Sequence, residues 1–266
     1  MKTPSTKLVY FSPTGTTKTV VEAVARGFEA TAIERIDLTK PMTRLKPLQT
    51  EKDELLIVGM PVYMGRLPEV IGEWLQSIKA DNTPTVCLVV YGNRVYDDAL
   101  RELKDILIAD GCIPIAAGAF IGEHSFSSDK TPIAHGRPDH HDLSQAEAFG
   151  RMIKEKMEAL QADTKIDDLH VPGEFPYRGE TKLWDVDFIS VSNDCNQCQI
   201  CADVCPVGAI DVENSRLIDQ AKCITCCACI KNCPQHARTI KAGPVADASI
   251  RLNTLFKDPK QPELFY

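Results

Sequence analysis

Nine of the chain's eleven cysteines fall between Cys195 and Cys233, and eight of them obey one spacing used twice. Cys195-x2-Cys198-x2-Cys201-x3-Cys205-Pro206 recurs 28 residues later as Cys223-x2-Cys226-x2-Cys229-x3-Cys233-Pro234. The preceding 194 residues hold only Cys87 and Cys112. A secreted disulfide domain would be smaller and would carry an export signal. Here Met1-Lys2-Thr3-Pro4 leads into a short apolar run, Leu8 to Phe11, too short for a signal-peptide core. Clustered cysteines in a chain read as cytoplasmic point to metal. Zinc ribbons use separated C-x2-C pairs, not two runs of four cysteines each closed by proline.

Each run, together with Pro206-Val207-Gly208-Ala209-Ile210, is similar to bacterial two-cluster ferredoxins over about 55 residues. The resemblance implies two [4Fe–4S] clusters, with the first three cysteines of a run on one cluster and the fourth on the other. It assigns Cys195, Cys198, Cys201 and Cys233 to cluster one. Cluster two takes Cys223, Cys226, Cys229 and Cys205. Cys227 breaks no spacing and reads as a small filler beside the cluster. Cys87 and Cys112 fall in expected buried strands, where free cysteines act as small apolar residues.

Residues 1–161 alternate strand and helix patterns. Leu8–Phe11 reads as a buried strand, followed by a turn and a helix over 16–29 carrying Val20, Val21, Val24, Ala25 and Phe28 at helical spacing. Further strands are expected over 32–38, 54–60, 85–91 and 112–121. Helices are expected over 68–78, 97–110 and 143–160. Apolar strands without alternation fit a parallel sheet covered on both faces. The fold class is α/β, a doubly wound five-stranded parallel sheet, with a small α+β second module. Ligands of such sheets bind beyond the strands' carboxyl ends. The loops 12–17, 60–66, 91–97 and 122–142 should therefore face one site. A linker is expected over 162–186, the second module over 187–241 and a docking tail over 242–266.

The first loop, Ser12-Pro13-Thr14-Gly15-Thr16-Thr17, offers hydroxyls and backbone N–H groups at a helix N-terminus, which suit a phosphate. A helix-capping turn that binds nothing has the same composition. No Gly-x-Gly-x-x-Gly follows a strand, and no Walker Gly-Lys-Ser/Thr occurs. The loop matches the Ser/Thr-x-Thr-Gly-x-Thr phosphate loop of flavodoxins, and residues 1–161 resemble a flavodoxin domain in order and length. The whole chain then resembles the flavodoxin–ferredoxin fusion proteins, found largely in anaerobes. That resemblance implies FMN, with its phosphate on Ser12, Thr14, Gly15, Thr16 and Thr17. It places the ring between Pro61, Val62, Tyr63, Met64 and Gly65 and the loop carrying Tyr91, Gly92, Asn93, Arg94 and Tyr96. Tyr63, Met64 and Tyr96 are candidates to stack on it, and Trp74 falls on a helix's apolar face. Arg66 and Arg94 lie in the ring loops; at least one is expected near the flavin, favouring its reduced, anionic form. The alternative is two solvated arginines.

Residues 122–142 are long for a loop and hold His124, His135, His140 and His141. They are expected to cover the flavin or to dock the second module, with the histidines as candidate proton donors. Net charge is −7 and no basic stripe is present, which disfavours nucleic acid as partner. The longest stretches free of Asp, Glu, Lys and Arg span 12 residues (82–93 and 111–122), short of the about 18 a membrane helix needs. Residues 187–241 carry six acidic and five basic side chains, before any cluster charge. The functional expectation is a carrier passing electrons between clusters, FMN and partner redox proteins. An FMN-dependent reductase of a small substrate is the alternative, and a redox sensor a third. Donor, acceptor and oligomeric state are not legible.

Overall fold

The computed structural model describes residues 5–159, 168–180 and 186–266. Five parallel strands form the main sheet: β1 (Ser5–Tyr10), β2 (Ile33–Asp37), β3 (Glu54–Pro61), β4 (Thr83–Tyr91) and β5 (Cys112–Ile121). Their order is β2-β1-β3-β4-β5. This is the 2-1-3-4-5 order of the flavodoxin-like doubly wound sheet. The strands β3, β4 and β5 are near-continuous apolar runs because both faces are covered. On one face, Val20, Val21 and Val24 of α1 (Thr16–Gly27) and Phe149 and Ile153 of α4 (His140–Ala159) close a core. On the other, Trp74 and Leu75 of α2 (Gly72–Leu75) and Leu100, Leu103 and Leu107 of α3 (Ala99–Ala109) do the same. The register sets Tyr10 against Gly59, Pro61 against Val90 and Tyr91 against Ile121. The loops after these strands therefore leave from one edge.

Two expectations are corrected. The helix expected over 68–78 is a 3-10 turn, Glu69–Ile71, and a single α-helical turn, α2. The Trp74 indole donates to Lys46 O at 2.8 Å and Ser77 Oγ bonds Trp74 O at 2.7 Å, so tertiary and side-chain bonds end it early. In contrast, α4 starts at His140, inside the expected loop. Asp139 and Asp142 exchange backbone-to-carboxylate bonds of 2.9 and 3.0 Å, a reciprocal cap that starts the helix sooner. Its expected last residue, 160, lies outside the described residues.

The second module pairs β6 (Ile189–Val191) antiparallel with β7 (Arg238–Ile240). Each cysteine run carries one short helix, α5 (Ile200–Asp203) and α6 (Ala228–Lys231). Beyond it, α7 (Pro244–Leu255) leads to β8 (Glu263–Phe265), which adds antiparallel to the β5 edge as a sixth strand. Of the linker expected over 162–186, residues 162–167 and 181–185 lie outside the described residues. The segment 168–180 packs along α3: Leu169 and Val171 enter the core, and Lys104 Nζ bonds Leu169 O at 2.9 Å. Among the described residues no helix is long and apolar enough to cross a membrane.

Candidate functional site

At the C-terminal edge of the sheet, a cavity of about 920 Å³ opens between the two modules. Its floor is the first loop. Gly15, the residue before α1, has φ 91°, which a glycine adopts without strain, and a Cβ there would meet nothing within 4 Å. Ser12 Oγ accepts from Lys18 N at 3.0 Å, which leaves its own proton free to donate. Among the described residues, nothing accepts from the amides of Thr14, Thr16 or Thr17. Three open N–H groups at the positive end of a 12-residue helix, with four hydroxyls lining the cavity beside them, fit a phosphate dianion.

The walls are the next two loops. Tyr63 and Arg66 exchange backbone bonds of 2.9 and 3.0 Å around Met64 (φ 50°) and Gly65 (φ 86°). Two left-handed central residues make the tight turn. A Cβ on Gly65 would fall 2.5 Å from Asp97 Oδ2, so glycine lets the two loops touch. Tyr63 and Met64 line the cavity, as do Tyr91, Gly92 and Arg94. Burial and the nearby Cys226 and Cys227 sulfurs push the Tyr63 phenol well up, so it stays a hydroxyl donor.

Three sequence-based candidates sit elsewhere. Arg66 does not line the cavity; its guanidinium pairs with Glu102 at 2.9 and 2.7 Å and lies 5.0 Å from the Tyr177 ring. The buried Glu102 carboxylate, which also accepts from Leu67 N at 3.0 Å, draws it away. Asn93 is 2% exposed and holds the tail: Nδ2 donates to Phe256 O (2.8 Å) and Asp258 O (3.0 Å), and Oδ1 accepts from Lys260 N (3.2 Å). Tyr96 OH meets Glu263 Oε2 at 2.7 Å. Arg94 does line the cavity, with Nη2 paired to Asp97. Trp74 is core.

Segment 122–142 both borders the cavity and docks the second module. Gly122–Phe126 line the cavity, and Phe126 and Ile133 join the core of Phe188, Ile189, Ile210 and Val245. Lys231 Nζ bonds Glu123 Oε1 at 2.6 Å and Ser127 O at 2.7 Å. Of the four histidines only His124 lines the cavity, its ring packed on Gly92. His124 Nδ1 accepts from Phe126 N at 3.0 Å, so the neutral ring keeps its proton on Nε2. Burial, then Lys231 and Arg94, push its pKa down to about 4.

The roof was not legible from sequence: Thr225 and Cys226 of the second cysteine run, Arg178–Glu180 of the segment 168–180, and Asp247, Arg251 and Phe256 on or just past α7. Three separate segments meet there, and only the last, Asp247 to Phe256, belongs to the tail.

Two smaller cavities lie in the second module. One is lined by Cys195, Cys198, Cys201 and Cys233, the other by Cys205, Cys223, Cys226 and Cys229. These are the two crossed sets that the resemblance implied. Among the described residues no group of three His, Cys, Asp or Glu side chains is close enough to hold a single metal ion. The sulfurs surround voids instead, a donor set suited to a cubane rather than to zinc at about 2.3 Å from each sulfur. Burial pushes the Cys223 thiol up and the Cys229 thiol to about 12, so thiolates there need the positive charge of bound iron. Cys227 lines the second void without joining a set, 2% exposed.

Comparison with known proteins bears on the second module. Residues 180–238 match the family model of the 4Fe-4S dicluster domain. The chain is 39% identical over 71 residues to a probable iron-sulfur protein of the Frd operon in Proteus vulgaris, covering 25% of this chain and 45% of that protein. It is 35% identical over 66 residues to a ferredoxin-like protein in the nif region of Trichormus variabilis, covering 24% and 53%. The chain thus spans about half the length of these curated relatives. A flavodoxin from the domain Archaea superposes with a TM-score of 0.41 at 17% identity, over 58% of this chain and 99% of the other. Strand order carries the assignment of the first part, and the matched cysteine runs carry that of the second. The chain joins a flavodoxin-like α/β domain to an iron–sulfur domain of the 4Fe-4S dicluster ferredoxin type.

Proposed function

We propose that the chain is an electron-transfer protein holding FMN in the 920 Å³ cavity and one [4Fe–4S] cluster in each cysteine-lined void. One observation carries the reading: the cavity lining runs unbroken from the phosphate-binding loop to Cys226. When bound, a flavin takes one or two electrons and such a cluster takes one, so together they link one-electron and two-electron partners. The chain's own residues do the placing. Thr14, Thr16 and Thr17 hold the phosphate through N–H groups, Tyr63 and Met64 bound the ring space, and Cys226 borders the same cavity. The domain limits 1–161, 187–241 and 242–266 belong to this reading, as does docking to redox partner proteins.

Anaerobic purification tests it. The expected result is roughly eight irons per chain and one FMN. Reduction by a low-potential donor should bleach clusters and flavin in turn, with reoxidation by one-electron protein carriers. Iron well below that count, or no FMN uptake, overturns it. A second reading, an FMN-dependent reductase of a small substrate, draws on the cavity's extension beneath α7 past Arg251 and on the His124 Nε2 proton. Stoichiometric reduction of a small molecule would select that reading.

A further inference from the structure

The two cysteine runs are near-copies in backbone. Gln197, Gln199 and Gly208 have φ of 56, 65 and 60°; their counterparts 28 residues on, Thr225, Cys227 and His236, have 56, 58 and 49°. At the same offset, Ile210 corresponds to Arg238. Ile210 lines the void of Cys205, Cys223, Cys226 and Cys229, where every other lining residue is apolar or cysteine. Arg238, only 2% exposed, lines the other void together with Ser215. Arg238 Nη2 donates to Ser215 O. Among the described residues, Arg238 Nη1 has no acceptor and Ser215 Oγ, also buried, has no partner. A buried guanidinium with an open N–H is strongly unfavourable unless something negative meets it. The repeat has placed a cation and a hydroxyl against one void and an isoleucine against the other.

We propose that Arg238 Nη1 and Ser215 Oγ donate hydrogen bonds to the sulfur atoms of the cluster held by Cys195, Cys198, Cys201 and Cys233, and so raise its reduction potential above that of its partner. This rests on the cluster reading above. Reduction adds one electron and one negative charge to the cluster. A buried cation and hydrogen bonds to sulfur stabilise that added charge, and solvent reaching the exposed Cys198 acts in the same direction. The sulfurs of the other set accept backbone N–H groups, Ala209 N to Cys205 Sγ at 3.2 Å among them, but the side chains that wall that void are apolar or cysteine and offer neither a cation nor a hydroxyl. Arg238 also acts on Cys229 of that second set, so its charge reaches that cluster too; its side-chain N–H lines only the first void.

Anaerobic redox titration of the purified full chain, followed by electron paramagnetic resonance, reads the effect. The two signals are assigned through Cys198→Ser. The wild type should show two separate midpoints, the higher on the Cys198 side. Arg238→Gln keeps an N–H but removes the charge. It should lower that midpoint and narrow the gap, Arg238→Lys should restore most of it, and Ser215→Ala should lower it less. Unmoved midpoints in Arg238→Gln, or Arg238→Lys behaving as the glutamine variant does, overturn the proposal. If Arg238→Gln fails to retain both clusters, Ser215→Ala decides, and an unmoved midpoint there overturns it. A wild-type chain short of iron defeats the cluster reading before any potential is measured, which separates the two failures.

Discussion

Asp110 closes α3 with its carboxylate at the negative end of the helix and with Oδ2 buried and unpartnered among the described residues. Burial raises its pKa to about 6. Between about pH 4 and 6 the folded chain therefore holds a proton that the unfolded chain has released, and stability falls as pH rises through that window. Two units correspond to at most about 3 kcal/mol; with the group partly exposed, about 1–2 kcal/mol is the reasonable scale. Asp110→Asn should raise the melting temperature at pH 7.5 and lose that advantage near pH 4. Equal gains at both values would remove the electrostatic explanation. Legibility at this scale follows the range of the forces. Ser12–Thr17 could be read because a phosphate loop is built from consecutive residues. Asn93 and Arg66 could not, because their partners Phe256 and Glu102 lie 163 and 36 residues away. Arg238 was legible in principle, by laying one cysteine run over the other and seeing isoleucine answered by arginine.

Among the elements, the strands were the clearest in sequence, since β5 is apolar throughout and β3 is apolar after Glu54, and such runs cannot sit half in water. The short helix α2 was not, because helical spacing records which face is buried, not whether the backbone completes its turns. The tail was read only as a docking segment. It arrives as α7 and β8, and between them residues 256–260 hold the 91–97 loop through Asn93, while Lys260 Nζ bonds Arg94 O. Arg137 Nη1 in turn donates to Lys260 O at 2.8 Å. The tail so fixes a wall of the proposed flavin cavity. Asn93→Ala removes three hydrogen bonds from a buried site, each worth about 1 kcal/mol. FMN affinity, followed by quenching of flavin fluorescence, should fall about tenfold or more for a loss of 1.4 kcal/mol or above. Iron content should stay unchanged, because neither void touches the loop. Unchanged affinity would mean that the wall keeps its shape without the tail.

Over the whole molecule, the proposed electron transfer depends on the seam between the modules. The seam is apolar around Phe126 and Ile133, and polar where Lys231 meets Glu123 and Ser127 and where Arg44 Nη2 donates to Pro206 O at 2.5 Å. Lys231 lies on α6 between Cys229 and Cys233, so one side chain ties the cluster module to the loop bordering the cavity. The length of segment 122–142 pointed to docking, but spacing could not say which side chains meet, because it records neighbours within a module and not how two modules face each other. Lys231→Glu sets two carboxylates face to face at a partly buried position, a repulsion strong enough to open the seam locally. Both cofactors should remain bound, since Lys231 is neither a sulfur ligand nor part of the cavity lining. Cluster-to-flavin transfer in stopped-flow reduction should slow by about tenfold, the effect of a barrier about 1.4 kcal/mol higher. The reversed pair, Lys231→Glu with Glu123→Lys, should recover most of the rate because the attraction is restored with its ends exchanged. If the single variant transfers electrons as fast as the wild type, the ion pair does not set the distance between Cys226 and the flavin, and the apolar contacts of Phe126 and Ile133 hold it alone.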